Sequence, residues 1–258
     1  MLRIRLHIVR SLKMCKAGVI FLGEYIMNIF KAFKSLTKFE LCLWLFSVAV
    51  ISISYCFSGG NVWSLITSLI GVTSLIFLAR GFVIGQVLMI IFSINYALIS
   101  YGFSYYGELM TYAGMTLPMA VVSLISWIRH PYKKTAEVEV DSKLGLKKAV
   151  FLAVSAVVVT VIFYFILKAL GTANLLPSTF SVLTSYIAAT LTAFRNPYFA
   201  LGYAINDLVL IVLWILATMT DLSYLPMTVC FIVFFINDMY GFICWKKMEK
   251  RQKEFINN

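Results

Sequence analysis

Eight apolar runs follow one another between positions 40 and 245, each close to the roughly 20 residues that a helix needs to cross the hydrocarbon core of a bilayer. The runs are 40–57, 61–79, 83–101, 104–128, 148–170, 178–194, 198–219 and 224–245. Backbone N–H and C=O groups find no water in lipid, so consecutive runs of this kind are expected to fold as helices that satisfy their own hydrogen bonds. A soluble domain carries about 25% charged residues. Here only 13% of the 258 residues are charged and 61% are apolar, so the chain is expected to be solvated by lipid. The fold class expected is an all-α polytopic membrane protein of about eight spans.

The formal charge of +11 is concentrated in three blocks, Arg3 to Lys38, Arg129 to Lys148 and Lys246 to Lys253. With the N-terminus inside, all but Lys168 of the 22 lysines and arginines fall on the cytoplasmic side, as the positive-inside rule requires. Both termini are therefore expected in the cytoplasm, with 246–258 as a basic tail. Residues 1–38 read as a basic amphipathic helix on the inner membrane surface. Glu24, Lys31, Lys34 and Lys38 lie on one side of it, and Ile26, Ile29, Phe30 and Phe33 lie on the other. No aromatic-interleaved basic groove suggests a nucleic-acid partner.

The five cysteines (Cys15, Cys42, Cys56, Cys230 and Cys244) lack C-x-x-C spacing, and His7 and His130 stand among basic residues, so no metal site is expected. There is no phosphate-binding glycine loop, nucleophile elbow or zinc-protease motif, so no cofactor is expected and an enzyme is not the reading.

A weak repeat relates 61–128 to 178–245 at an offset of about 115 to 118 residues, matching Arg80 to Arg195 and Trp127 to Trp245. The single span 148–170 between the two triplets would give them the same orientation. The expected layout is two parallel three-helix bundles joined by an inversion linker helix, with one extra span, 40–57, in front. Gly81 and Gly85 form a small-xxx-small pair suited to close helix packing.

Within 104–128, Tyr112, Thr116, Ser123 and Trp127 fall within roughly 60° of one another on a helix, a polar stripe in an apolar rod. Pro118 removes a backbone hydrogen bond deep in that span and is a candidate hinge, while Trp127 and Trp245 are candidate gate residues or interfacial anchors. Asn206-Asp207 and Asn237-Asp238 lie at matching depth, about 12 Å from the inner helix ends. An ionised Asp facing lipid costs roughly 2.5 to 3.5 kcal/mol, so these pairs are expected to face a substrate path or clasp neighbouring helices. Within each pair the side chains point 100° apart, so one residue can bind while the other clasps. Trp214 shares a side with Asp207, and Tyr240 with Asn237. Gln86 aligns with Ser93 and is expected in the path, with Asn95 on the opposite side packing between helices.

The order Y-G-E-x-x-T-Y-x-x-M-x-x-P-x-A-x-x-S-x-x-S-W-x-R-H-P-Y, from Tyr106 to Tyr132, resembles the first-half signature of the PnuC nicotinamide riboside transporters. Asn196-Pro197-Tyr198, Tyr203 to Asp207 and Asn237 to Phe242 are similar to that family's second-half blocks. One departure is that Met119 and Ala120 stand where the first triplet would carry a partner for the Asn237-Asp238 pair. The resemblance implies the three-one-three layout shared with SWEET-type transporters. It also implies a bacterial cytoplasmic membrane location, a homotrimer, and facilitated diffusion of nicotinamide riboside inward by alternating access. Gln86, Tyr112, Asn206, Asp207, Trp214, Asn237, Asp238 and Tyr240 are then the candidate substrate-binding residues. Pro118, Trp127 and Trp245 are the candidate gate. Other vitamin-like aromatic solutes such as thiamine or riboflavin, ion-coupled uptake through Asp207 and Asp238, a channel, and an intramembrane acid pair are the rival readings.

Overall fold

The computed structural model describes residues 33–58, 62–102, 106–133, 135–172 and 174–257. The surface helix expected over 1–38 lies almost wholly outside the described residues. Among those described, eight helices are long and apolar enough to cross a bilayer, and the protein is a multi-pass all-α membrane protein. The elements are α1 (Lys38–Ser58), α2 (Val62–Ala79), α3 (Val83–Gly102), α4 (Tyr106–Thr111), a π-helical turn (Tyr112–Thr116), α5 (Leu117–Arg129), α6 (Leu146–Ala169), α7 (Leu175–Ala193), α8 (Tyr198–Thr220), a 3-10 turn (Leu222–Tyr224) and α9 (Leu225–Asn257). The chain divides after Leu41. Just before that point α1 starts in a capping box: Thr37 N–H donates to Glu40 Oε2 at 2.7 Å, and Glu40 N–H donates to Thr37 Oγ1 at 3.3 Å.

In the unit from Cys42 onward, neighbour packs on neighbour in a closed order. α2 meets α3, α3 meets the α4–π–α5 rod, α5 meets α7, α7 meets α8, α8 meets α9, and α9 returns to α2. α6 lies against α7. The part of α1 beyond Leu41 is tied on by polar contacts at membrane depth: Trp44 Nε1 donates to Thr73 Oγ1 at 3.0 Å, and Asn237 Nδ2 donates to Ser47 Oγ at 3.0 Å. Lipid supplies no hydrophobic drive for helix association, so packing and such bonds carry it.

Pro118 has a specific accommodation. Proline cannot donate to the carbonyl one turn earlier and its ring would strike it. The chain widens into the π turn just before it, where Leu117 N–H donates to Tyr112 O and Thr116 Oγ1 donates to Thr111 O at 3.3 Å. The rod is therefore re-registered by the extra residue of a π turn rather than simply bent, which rotates Tyr112 and Thr116 relative to Ser123 and Trp127.

The last helix does not stop near position 245 but runs 33 residues, to Asn257. Lys246 and Lys253 reach Glu249 at 2.6 and 2.5 Å, the i,i+3 and i,i+4 pairs that support a helix beyond the membrane. This extension holds the long loop after α5. Gln252 accepts from Val140 N–H at 2.8 Å and donates to Val138 O at 3.1 Å, and Arg251 pairs with Glu137. The loop is also pinned to the two short turns at the same end, with Val138 N–H donating to Gly81 O at 2.9 Å and Asp141 N–H donating to Arg195 O at 3.1 Å. Burial lowers the pKa of the Arg195 guanidinium from its ordinary value, and the nearby Asp141 and Glu139 oppose the shift.

Of the Gly81–Gly85 pair, Gly81 turns with φ +68°, and Gly85 lets α3 start against the end of α2. A Cβ at Gly85 would lie 2.7 Å from the Leu78 backbone nitrogen, and a backbone atom there has nowhere to go. Gly85→Ala is expected to destabilise the purified protein by about 1–3 kcal/mol. Gly145→Ala, where a Cβ meets nothing within 4 Å, is expected to stay within about 0.5 kcal/mol. Melting temperatures in detergent compare the two, and equal values would remove the close-approach argument.

Candidate functional site

A cavity of about 430 Å³ opens among the π turn, α7, α8 and the ends of α4 and α6, within the size range of small-molecule pockets. It reaches the end of the bundle that carries Gly171, Thr172, Asn174 and the turn from Thr220 to Tyr224. Three walls have different chemistry. α8 presents Asn206, Leu210, Trp214 and Ala217, spaced three to four residues apart so that one face carries an amide, an indole and aliphatic groups. α7 presents a hydroxyl row of Ser178, Ser181 and Ser185. The α4–π wall adds Glu108, Thr111, Tyr112 and Thr116.

The site side chains are held by their neighbours. Ser181 and Thr184 donate to Asn206 Oδ1 at 3.1 and 2.8 Å, which occupies the amide oxygen and leaves the NH₂ as the half that can meet a ligand. The Trp214 ring lies nearly parallel to Phe231, with centroids 6.4 Å apart and 12° between planes, and 5.8 Å from Tyr224. Tyr112 rests on Tyr96 at 4.2 Å and meets Phe92 edge-on at 6.0 Å. Such packing fixes the orientation of aromatic walls before any ligand arrives.

Of the residues singled out from the sequence, Tyr112, Asn206 and Trp214 line the cavity. The two Asn-Asp pairs divide by direction. Asp207 does not line the cavity; its carboxyl lies beside that of Asp238 on α9, and its Oδ2 is buried without a hydrogen-bond partner. Asn237 turns to Ser47 on α1 and to Val233 O at 2.8 Å. Gln86 is 2% exposed and lies off the cavity with a buried, unpartnered Nε2, and Tyr240 is also off the cavity. Asn95 does not reach a neighbouring helix through its amide but folds back on its own, donating to Ile91 O at 2.7 Å.

Trp127 and Trp245 are both 0% exposed, so neither is an anchor in the lipid headgroups. Their rings are 5.4 Å apart, with Phe199 edge-on to Trp245 at 4.8 Å. Their N–H bonds cross: Trp127 Nε1 donates to Thr192 O at 2.9 Å, and Trp245 Nε1 donates to Leu78 O at 2.7 Å. α5 thus holds the end of α7, and α9 holds the end of α2.

Sequence reasoning gave Glu108 no place in the site and overlooked the serine row. The signal was present, since Ser178, Ser181 and Ser185 recur at i, i+3 and i+7 in an apolar span. Among the described residues no group of three or more His, Cys, Asp or Glu is placed to hold a metal ion.

Comparison with known proteins agrees with this architecture. The family model described as nicotinamide mononucleotide transporter matches residues 61–247. A Neisseria mucosa protein described as nicotinamide riboside transporter PnuC is 27% identical over 220 residues, covering 83% of each chain. The crystal structure of the vitamin B3 transporter PnuC superposes with a TM-score of 0.72 at 23% identity, covering 84% of this chain and 94% of that one, a likeness of fold. Since the family model takes in well over half of an eight-span helical chain, the protein belongs to the nicotinamide mononucleotide transporter family and is a membrane transporter rather than an enzyme.

Proposed function

We propose that the protein carries nicotinamide riboside into the cytoplasm by facilitated diffusion, with alternating access to the cavity between α7 and α8. The carrying observation is the cavity lining itself. It offers the Trp214, Tyr112 and Tyr224 rings for a planar base, and the Asn206 amide and serine hydroxyls for a carboxamide and ribose. No Lys, Arg or His is among its described lining residues. A phosphoester is characteristically gripped by Arg or Lys forks that match its charge. A riboside therefore fits this lining better than the mononucleotide.

In this reading 61–128 and 178–245 are parallel three-helix bundles around the linker α6, with α1 as the additional span. The crossed tryptophan bonds support it, because each joins the third helix of one bundle to the end of the first helix of the other, with Leu78 and Thr192 within a residue of the repeat offset. Positive-inside placement makes the cavity mouth external and the tryptophan seal cytoplasmic. Inward release then requires Trp127 and Trp245 to part, with the π turn before Pro118 as the joint. For a monocation the interior-negative potential adds about 2.3 kcal/mol per 100 mV of inward drive. Asp207 and Asp238 lie off the cavity, so this reading assigns them a helix-clasping role and needs no coupling ion. A homotrimer in the bacterial inner membrane, carried over from the resemblance, completes the proposal.

Proteoliposomes test it. Uptake of labelled nicotinamide riboside is expected to saturate, to respond to membrane potential, and to be indifferent to imposed sodium or proton gradients. Unlabelled mononucleotide is expected to compete poorly. Gradient-driven accumulation, or preference for the mononucleotide, thiamine or riboflavin, would overturn it.

A further inference from the structure

We infer that Glu108 is the countercharge by which the cavity selects a cationic ring over a neutral ring of the same shape. The inference rests on the riboside reading above and adds a specificity residue to it. Glu108 is the one acidic side chain among the described cavity-lining residues, with no basic side chain beside it on those walls. On the cavity wall it stands beside the Tyr112 phenol, which packs on Tyr96 at 4.2 Å. Lys168, the basic residue of α6 nearest this end, lies over the Tyr164 ring instead.

The backbone that carries the carboxylate is also held in place. Its neighbour Gly107 fits so closely to the turn after α6 that a Cβ there would lie 2.9 Å from Thr172 Oγ1 and 3.2 Å from Leu167 Cδ2. The first turn of α4 is thus pressed against α6, and Glu108 lies on the cavity wall beside Thr111 and Tyr112. The two other carboxyls at membrane depth, Asp207 and Asp238, face each other away from this space. A carboxylate in a half-buried aromatic enclosure interacts strongly with an opposite charge and gains little from a neutral ligand, and a pyridinium adds attraction to the tyrosine and tryptophan faces. Hydrogen bonds to amide and ribose are common to both kinds of ring, so the charge term is what separates them.

Nicotinamide riboside and its reduced 1,4-dihydropyridine form have the same sugar and carboxamide and differ by the ring charge. Wild-type protein, measured by calorimetry in detergent, is expected to bind the oxidised form about 10- to 100-fold more tightly than the reduced form. Glu108→Gln is expected to bring that ratio close to one by weakening the oxidised ligand and leaving the reduced one unchanged, and Glu108→Asp to keep an intermediate ratio. A wild-type ratio near one overturns the inference whatever becomes of the variants, as does a Gln variant that keeps the wild-type ratio. In both cases riboside binding itself persists and the transport reading stands. Wild-type protein that ignores both ribosides removes the substrate reading and this inference together.

Discussion

Trp245→Ala is expected to cost about 3–5 kcal/mol of stability, a large fraction of what a protein of this size has to lose. The ring is fully buried, with Trp127 at 5.4 Å and Phe199 edge-on at 4.8 Å, and its N–H is the partner of Leu78 O at 2.7 Å. Truncation removes those contacts, leaves a void that close-packed helices refill only in part, and takes one of two donors from Leu78 O, which keeps Gly81 N–H at 2.9 Å. Trp245→Phe keeps much of the ring contact and loses the bond, so it is expected to cost about 1–2 kcal/mol. Melting of the purified protein in detergent measures both. The alanine variant is also expected to let water-soluble thiol reagents reach the basic end of the bundle in proteoliposomes. Near wild-type melting together with unchanged reagent access would show that the tryptophan pair closes nothing.

Asn206→Ala is expected to weaken riboside binding about 10- to 100-fold with little loss of stability. The amide NH₂ is the half of the side chain open to a ligand, and a site that loses a hydrogen bond to a polar ligand group forfeits about that much. Stability is spared because Thr184 retains Phe180 O at 3.1 Å when Asn206 Oδ1 is gone. Asn95→Ala, bonded only within its own helix by its amide, is expected to leave affinity within twofold, which controls for general effects of removing an amide from a span. Calorimetric titration of the two variants is the measurement. Equal affinities would move the ligand away from α8.

The two predictions rest on residues that were legible to different degrees. Trp214 could be chosen from the sequence because it shares a helix side with Asp207, seven positions back, and Asn206 because its Asn-Asp pair lies at the same depth as Asn237-Asp238. That Asn206, and not Asp207, meets the cavity depends on how α8 is rotated against α7 and α9, and adjacent residues give no preference. Tyr112 was found through a polar stripe computed for an ideal helix, yet the π turn before Pro118 breaks that stripe, so its lower members, Ser123 and Trp127, belong to a different environment. Gln86 was chosen by alignment with Ser93, and both are buried off the cavity. Nothing in the sequence set Glu108 apart as a site residue; it joins the cavity only because α4 packs beside α6 and α7.

By itself the sequence determined the number of spans, their order and the uneven distribution of basic residues between the two ends. Those properties follow from how each segment is solvated by lipid or water, and such solvation is read locally. Only the tertiary structure decided which polar groups surround the cavity, which pairs clasp neighbouring helices, and that the two tryptophans bond crosswise. Those outcomes depend on the rotation and register of each helix against partners far away in the chain, set by contacts that no single segment contains.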